Sequence, residues 1–210
     1  MTDAIVFDFN GTLSDDEPIM CAIFIDLFAE HGKPLTAREY YDELAGLSDP
    51  EIVRTWLGAD HPNLDAVIAE RIRRYRAAVG DGSSIHEHVR EAVRYAAERV
   101  PLAICSGAAR AEIEPVVESA GLAEYFQAIV SSDDVVRGKP DPEGYRKALG
   151  LLGDPAAALV FEDTEAGIAS AKGAGLHVIA KLGTLDAARL RGADELVDRI
   201  DIELLRRCLS

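Results

Sequence analysis

Several things are scarce in this chain, and each scarcity excludes something. Cysteine occurs three times in 210 residues, as Cys21, Cys105 and Cys208. An odd, scattered set without C-x-x-C spacing argues against a disulfide framework or a zinc site. It reads as reduced thiols, so the expected location is cytoplasmic. Basic residues are the minority, 22 Lys and Arg against 37 Asp and Glu, for a net charge of −15. Such a surface repels nucleic-acid phosphates and anionic lipid, so neither nucleic acid nor membrane is an expected partner. No apolar run approaches the roughly 18–20 residues needed to cross a bilayer. Met1-Thr2-Asp3 leads straight into an apolar run, with no basic stretch or small-residue cleavage site to mark a signal peptide. Internal repeats and low-complexity segments are missing too.

What is present suits one well-packed α/β core with a small accessory unit. Apolar runs at Ala4–Phe9, Val100–Cys105, Gln127–Ser131, Ala157–Phe161 and Leu176–Ala180 read as buried strands. Helical patterns lie between them, at 86–99, at Ala109–Ala120 closed by Gly121, and at Thr164–Lys172 closed by Gly173. Strands alternating with helices predict a doubly wound parallel sheet with helices on both faces. The stretch 16–80 breaks the alternation. It holds no convincing strand, but it has a helix over Pro18–His31, capping boxes at Thr36–Glu39 and Ser48–Glu51, and a helix from Asn63 to Val79. The expected organisation is therefore an α/β core made of 1–15 and 81–210, with an all-α cap over 16–80. Its hinges are placed at Leu13–Asp16 and Gly80–Ile85. The arginines 71, 73, 74 and 76 read as a solvated face of that cap, Trp56 as part of its core, and His86 and His88 as surface residues.

Four short segments carry possible chemistry. Asp8-Phe9-Asn10-Gly11-Thr12 ends the first strand, where open α/β sheets bind ligands, and a carboxylate there can attack a phosphoryl group. Taken alone, Asp8 could equally be an acid that caps a turn. Cys105-Ser106-Gly107-Ala108 offers a hydroxyl and a backbone N–H at a helix entrance, which suits phosphate oxygens but also suits a plain N-cap. Lys139, in Arg137-Gly138-Lys139-Pro140, could neutralise a transferring phosphoryl or simply be a surface lysine. Glu162-Asp163 follows an apolar strand, and two acids there are costly unless a cation offsets them; Mg²⁺ is bound in this way, by one or two carboxylates, water and phosphate.

The order of the four segments, together with Leu13–Pro18, Gly46-Leu47-Ser48 and Glu162–Ile168, resembles the haloacid dehalogenase superfamily. Within it, the chain is similar to the β-phosphoglucomutase-like branch, whose helical cap is inserted after the first motif. The resemblance spans nearly the whole chain and implies a Rossmann-like core. It also implies that Asp8 is the nucleophile and a Mg²⁺ ligand, that the Asn10 carbonyl, Asp163 and Glu162 complete the metal site, and that Ser106, Gly107 and Lys139 hold the phosphoryl oxygens. The implied activity is phosphatase action on a small phosphorylated metabolite through an aspartyl phosphate, by a monomer or weak homodimer.

The sequence departs from the pattern in two places. The family's phosphatases and mutases carry an acid/base Asp where this chain has Asn10, and an amide cannot shuttle a proton. Slow turnover is expected, and Asn10→Asp should raise the turnover of alkyl phosphates by about 10²-fold or more. In the cap loop, Asp49 stands where the mutases carry an Arg that grips a second phosphate, Ala45 where a Lys is usual and Met20 where a His is usual. Asp49 would repel a second phosphate, so it is expected to set specificity toward a monophosphate. The alternatives are a β-phosphoglucomutase-like phosphotransferase and a catalytically impaired binder of phosphorylated ligands.

Overall fold

The computed structural model describes residues 2–210. The apolar run that opens the chain forms β1 (Ala4–Phe7), completely buried. A helical segment follows before the next strand: α1 (Glu17–Glu30), α2 (Ala37–Glu39), a π-helical turn over Tyr40–Leu44, α3 (Asp49–Leu57) and α4 (Leu64–Val79). The predicted capping boxes are in place. Thr36 and Glu39 exchange two hydrogen bonds, and Glu51 accepts from the Ser48 N–H at 2.9 Å. The chain then alternates through α5 (Glu87–Ala97), β2 (Leu102–Cys105), α6 (Arg110–Ser119), β3 (Ala128–Val130), α7 (Glu143–Leu151), β4 (Ala158–Glu162), α8 (Glu165–Gly173), β5 (His177–Lys181), β6 (Glu195–Val197) and α9 (Ile202–Cys208). None of these helices is long and apolar enough to cross a membrane.

Among the described residues the strands make one parallel sheet in the order β3-β2-β1-β4-β5-β6. Successive strand residues point to opposite faces. Ile5, Phe7, Ile104 and Phe161 therefore join one core, with apolar residues of α1, α4, α5, α6 and α9. Val6, Ala103, Val160 and Val178 join the other, with Tyr145, Ala148, Ile168 and Ala171 from α7 and α8. This is the expected doubly wound α/β arrangement. The observed strands are up to two residues shorter than the apolar runs, because those runs continue into the turns at the strand ends. The edge strand β6 gave little sequence signal, having only three residues and no full burial.

The strand order reverses at β1, which lies between β2 and β4. Chain connections leave this point in opposite directions and open a crevice at the carboxyl ends of the strands. Asp8 follows β1, and Glu162 ends β4. The rings of Phe7 and Phe161 stack at 5.1 Å just beneath, so the two strand ends are held at a fixed spacing.

One reading of the sequence is corrected here. Arg71 is no solvated residue; its side chain is only 1% exposed. It lies on the inner stripe of α4 with Val67, Tyr75 and Val79, while Arg73 remains exposed and pairs with Glu70. Trp56 is half-buried; it packs against Phe28, and its indole N–H donates to the Lys33 carbonyl at 3.0 Å.

Candidate active site

A cavity of about 300 Å³ lies over the strand ends, lined by residues of the core and of the helical segment. Asp8, Asn10, Ser106, Gly107 and Lys139 line it from one side, and Glu17, Asp49 and Arg71 from the other.

Asp8 is set by the strand that precedes it, and its N–H donates to the Phe161 carbonyl at 2.9 Å. Lys139 Nζ lies 2.5 Å from both Asp8 Oδ1 and Glu162 Oε1. Burial opposes the charge on Lys139, but Asp8 and Glu162 outweigh it and hold its pKa above the ordinary value. Burial raises the Asp8 carboxyl, with Lys139 opposing and Glu162 adding. Glu162 is lowered, because Lys139 and the Tyr145 hydroxyl overcome its burial.

Glu162 is fully saturated. Oε1 accepts from Lys139 and Tyr145, and Oε2 from the N–H groups of Asp163 and Thr164 and from the Thr164 hydroxyl. This close seat depends on Gly167, where a Cβ would come within 1.8 Å of Glu162 Oε1. Asp163 is held by hydroxyls, Thr12 at 3.1 Å on one oxygen and Thr184 on the other. Gly11, at φ +71°, lets the loop after β1 cross Asp163, since a Cβ there would meet its carboxylate. Lys181 holds the same loop through the Gly11 carbonyl at 2.8 Å. Thr12, Tyr145, Lys181 and Thr184 were not singled out from sequence. Thr12 lies inside the first motif, but nothing local marks the other three.

Oxygen atoms of Asp8, Glu162 and Asp163 all lie within 4.8 Å of one another. Burial raises Asp163 well above the carboxylate range, with Asp8, Glu162 and Glu17 adding. Three carboxylates facing one ammonium leave an excess of negative charge, and an all-oxygen set of this kind fits a hard divalent cation. Glu162 meets the distance requirement, yet its oxygens already carry five donors. The geometry therefore favours Asp8 and Asp163 as direct ligands, with Glu162 fixing Lys139.

Ser106 and Gly107 follow β2 at the cavity edge. The Ser106 hydroxyl caps the Ala108 N–H at 3.1 Å, and the space beside Gly107 is open. The Asn10 amide donates to Asp16 Oδ2 at 3.0 Å and to the Tyr75 hydroxyl at 3.3 Å. Asp16 is completely buried and also accepts from the Gly11 N–H and the Tyr75 hydroxyl. Asp49, the first residue of α3, does not stand alone. It lies 3.1 Å from Arg71, which also pairs with Glu112 of α6. This cluster joins the helical segment to the core, and its net charge is −1.

A carboxylate, an ammonium and a hydroxyl around one cavity are an arrangement suited to group transfer. The sequence profile of the haloacid dehalogenase-like hydrolases matches residues 5–181, and the chain belongs to that family. It is 30% identical to validoxylamine A 7'-phosphate phosphatase of Streptomyces hygroscopicus subsp. limoneus, over 94% of this chain and 93% of that protein. It is 34% identical to the protein CbbY of Rhodobacter capsulatus, over 84% and 83%. Its fold superposes with a TM-score of 0.86 on a mutant of CbbY from Rhodobacter sphaeroides solved with xylulose-(1,5)-bisphosphate, at 28% identity over 97% and 96% of the two chains. It also matches β-phosphoglucomutase from Clostridium difficile at 0.85 over 99% and 96%, a likeness of fold alone at 18% identity.

Proposed function

We propose that the chain is a Mg²⁺-dependent phosphatase, which moves the phosphoryl group of a small phosphorylated metabolite onto Asp8 and then hydrolyses the aspartyl phosphate. The class, phosphoric monoester hydrolase, agrees with the names of its relatives. The observation that carries the reading is the Asp8 carboxylate, held by Lys139 at the switch point of the sheet and facing a cavity edged by Ser106 and Gly107. Asp8 attacks phosphorus, while Lys139, the Ser106 hydroxyl and the Gly107 N–H hold the phosphoryl oxygens. Asp8, Asp163 and the Asn10 carbonyl would hold Mg²⁺, which when bound neutralises charge developing on those oxygens. Residues 16–80 act as a cap over a core of 1–15 and 81–210; Met1 itself lies outside the described residues. Closing such a cap excludes water from the transfer step.

The Asp49–Arg71–Glu112 cluster bears on substrate. Arg71 is already matched by two carboxylates, so it is poorly placed to take a second phosphate. A monophosphate with a neutral or cationic remainder fits this cavity better than a bisphosphate. The Asn10 side chain supplies no proton, so release of an alkoxide would be slow unless another group provides one.

The test is Mg²⁺-dependent phosphate release across a panel of phosphorylated metabolites, for the parent, Asp8→Asn and Asp163→Ala. Release that requires both residues supports the reading. Thermal stabilisation by phosphate esters without turnover would make the protein a binder instead, and Mg²⁺ affinity unchanged in Asp163→Ala would remove that residue from the metal site.

A further inference from the structure

The cavity holds several acids besides Asp8, and most are committed. Asp49 faces Arg71. Asp141 accepts from Arg137 and from the Glu143 N–H. Glu51 is exposed at the rim and bound to Ser48. Asp16 is sealed beneath the cavity by Asn10, Gly11 and Tyr75. No histidine lines the cavity among the described residues. That leaves Glu17, the first residue of α1, which is 8% exposed and lines the same cavity as Asp8 and Asn10. The Tyr40 hydroxyl donates to its Oε1 at 2.9 Å. Its Oε2 accepts no hydrogen bond among the described residues, and the side chain lines the cavity, so this oxygen is left for a ligand there.

We propose, on the phosphatase reading above, that Glu17 is the general acid and base of this enzyme, taking the role that Asn10 cannot fill. When Asp8 bonds to phosphorus and the bond from phosphorus to the leaving oxygen breaks, the Glu17 proton passes to that oxygen. Glu17 is left as a carboxylate. In the second step a water oxygen bonds to phosphorus, and its proton returns to Glu17. The bond between phosphorus and Asp8 breaks, giving inorganic phosphate and restoring both carboxyl groups. The surroundings suit both transfers. Burial pushes the Glu17 carboxyl up to about 7, with Asp16 adding, Tyr40 and Arg71 opposing, and Asp49 adding. Cys21, Tyr41 and Asp163 also sense its charge. A group that titrates near the working pH can both give and take a proton.

The experiment compares the Mg²⁺-loaded parent with Glu17→Gln on glycerol phosphate, a poor leaving group, and on nitrophenyl phosphate, a good one. The expected result is a loss of about 10²–10⁴-fold in kcat for the alkyl ester, with less than about 10-fold for the aryl ester. The bend of the parent pH profile that reports Glu17 should disappear, while the thermal unfolding midpoint is kept. Tyr40→Phe is the second variant. It removes a hydrogen bond that lowers the Glu17 pKa, so the bend should move to higher pH. Equal losses on both esters, a change confined to KM, or an unmoved bend in Tyr40→Phe would overturn the assignment while Asp8-dependent release persists. Failure of the parent to release phosphate from either ester, or from the metabolite panel, would instead refute the phosphatase reading and the assignment with it.

Discussion

Replacing Arg71 by methionine would leave Asp49 and Glu112 facing each other without their cation. All three side chains are at least nine-tenths buried, with exposures of 1% for Arg71, 9% for Asp49 and 0% for Glu112. Removing one partner of a buried ionic group costs about 3–5 kcal/mol, because the remaining charges are desolvated and unmatched. For a domain of this size, each kcal/mol moves the midpoint by about 2–4 °C, so the variant should melt about 6–20 °C lower at pH 8. The pH dependence follows from Asp49. Its pKa is already raised by burial, with Arg71 opposing, and losing Arg71 raises it further. A carboxyl raised in the folded state holds its proton more tightly there than in the unfolded chain. The penalty is therefore absent at low pH and grows as pH rises above the unfolded value of about 3.9. Melting curves at pH 5 and pH 8 should show a smaller gap between parent and variant at pH 5. Adding Glu112→Gln should recover part of the loss at pH 8. A midpoint within about 2 °C of the parent at pH 8, or a gap that ignores pH, would refute the reasoning.

Two further outcomes can be checked with the same proteins and assays. Asn10→Asp would aim a carboxylate at Asp16 about 3 Å away, a repulsion of about 5 kcal/mol at an effective dielectric of about 20. Burial already raises the Asp16 carboxyl. The pair should keep a proton, and the variant should match the parent near pH 5 but melt lower at pH 8.5. While Glu17 supplies the proton, the alkyl-phosphate gain of about 10²-fold expected from sequence should not appear. Gly167→Ala forces a methyl against Glu162. It should cost about 1–3 kcal/mol in chemical denaturation and lower turnover at least 10-fold by displacing Lys139, and parent-like kcat would show that Glu162 does not set that lysine.

The main lines of the fold, and the meeting of Asp8, Ser106, Lys139 and Glu162 at one edge of the sheet, were legible because each depends on a local pattern. Apolar runs ending at Asp8, Ser106 and Glu162 placed those residues at strand ends, and strand ends of one parallel sheet meet at one edge. Arg71 was misread because it sits in a dense run of arginines. The signal was available nonetheless, since Val67, Arg71, Tyr75 and Val79 recur every fourth residue and mark one helical stripe. Asp15, Asp16 and Glu17 form one acidic stretch at the end of the hinge read over Leu13–Asp16, and nothing local tells them apart. The fold separates them: Asp15 stays half exposed beside His86, Asp16 is sealed, and Glu17 faces the cavity. Thr184 and Lys181 reach the site only through β5 and the loop beyond it. Such long-range neighbours leave no trace in local spacing.

The bond between Asn10 and Asp16 couples the chemistry of the two positions. Their roles are complementary, an amide that donates and a carboxylate that accepts, so a change at either one alone leaves two acceptors or two amides facing each other where Asp16 is buried. Exchanging both together, Asn10→Asp with Asp16→Asn, keeps one donor and one acceptor but moves the acid to the position beside the nucleophile.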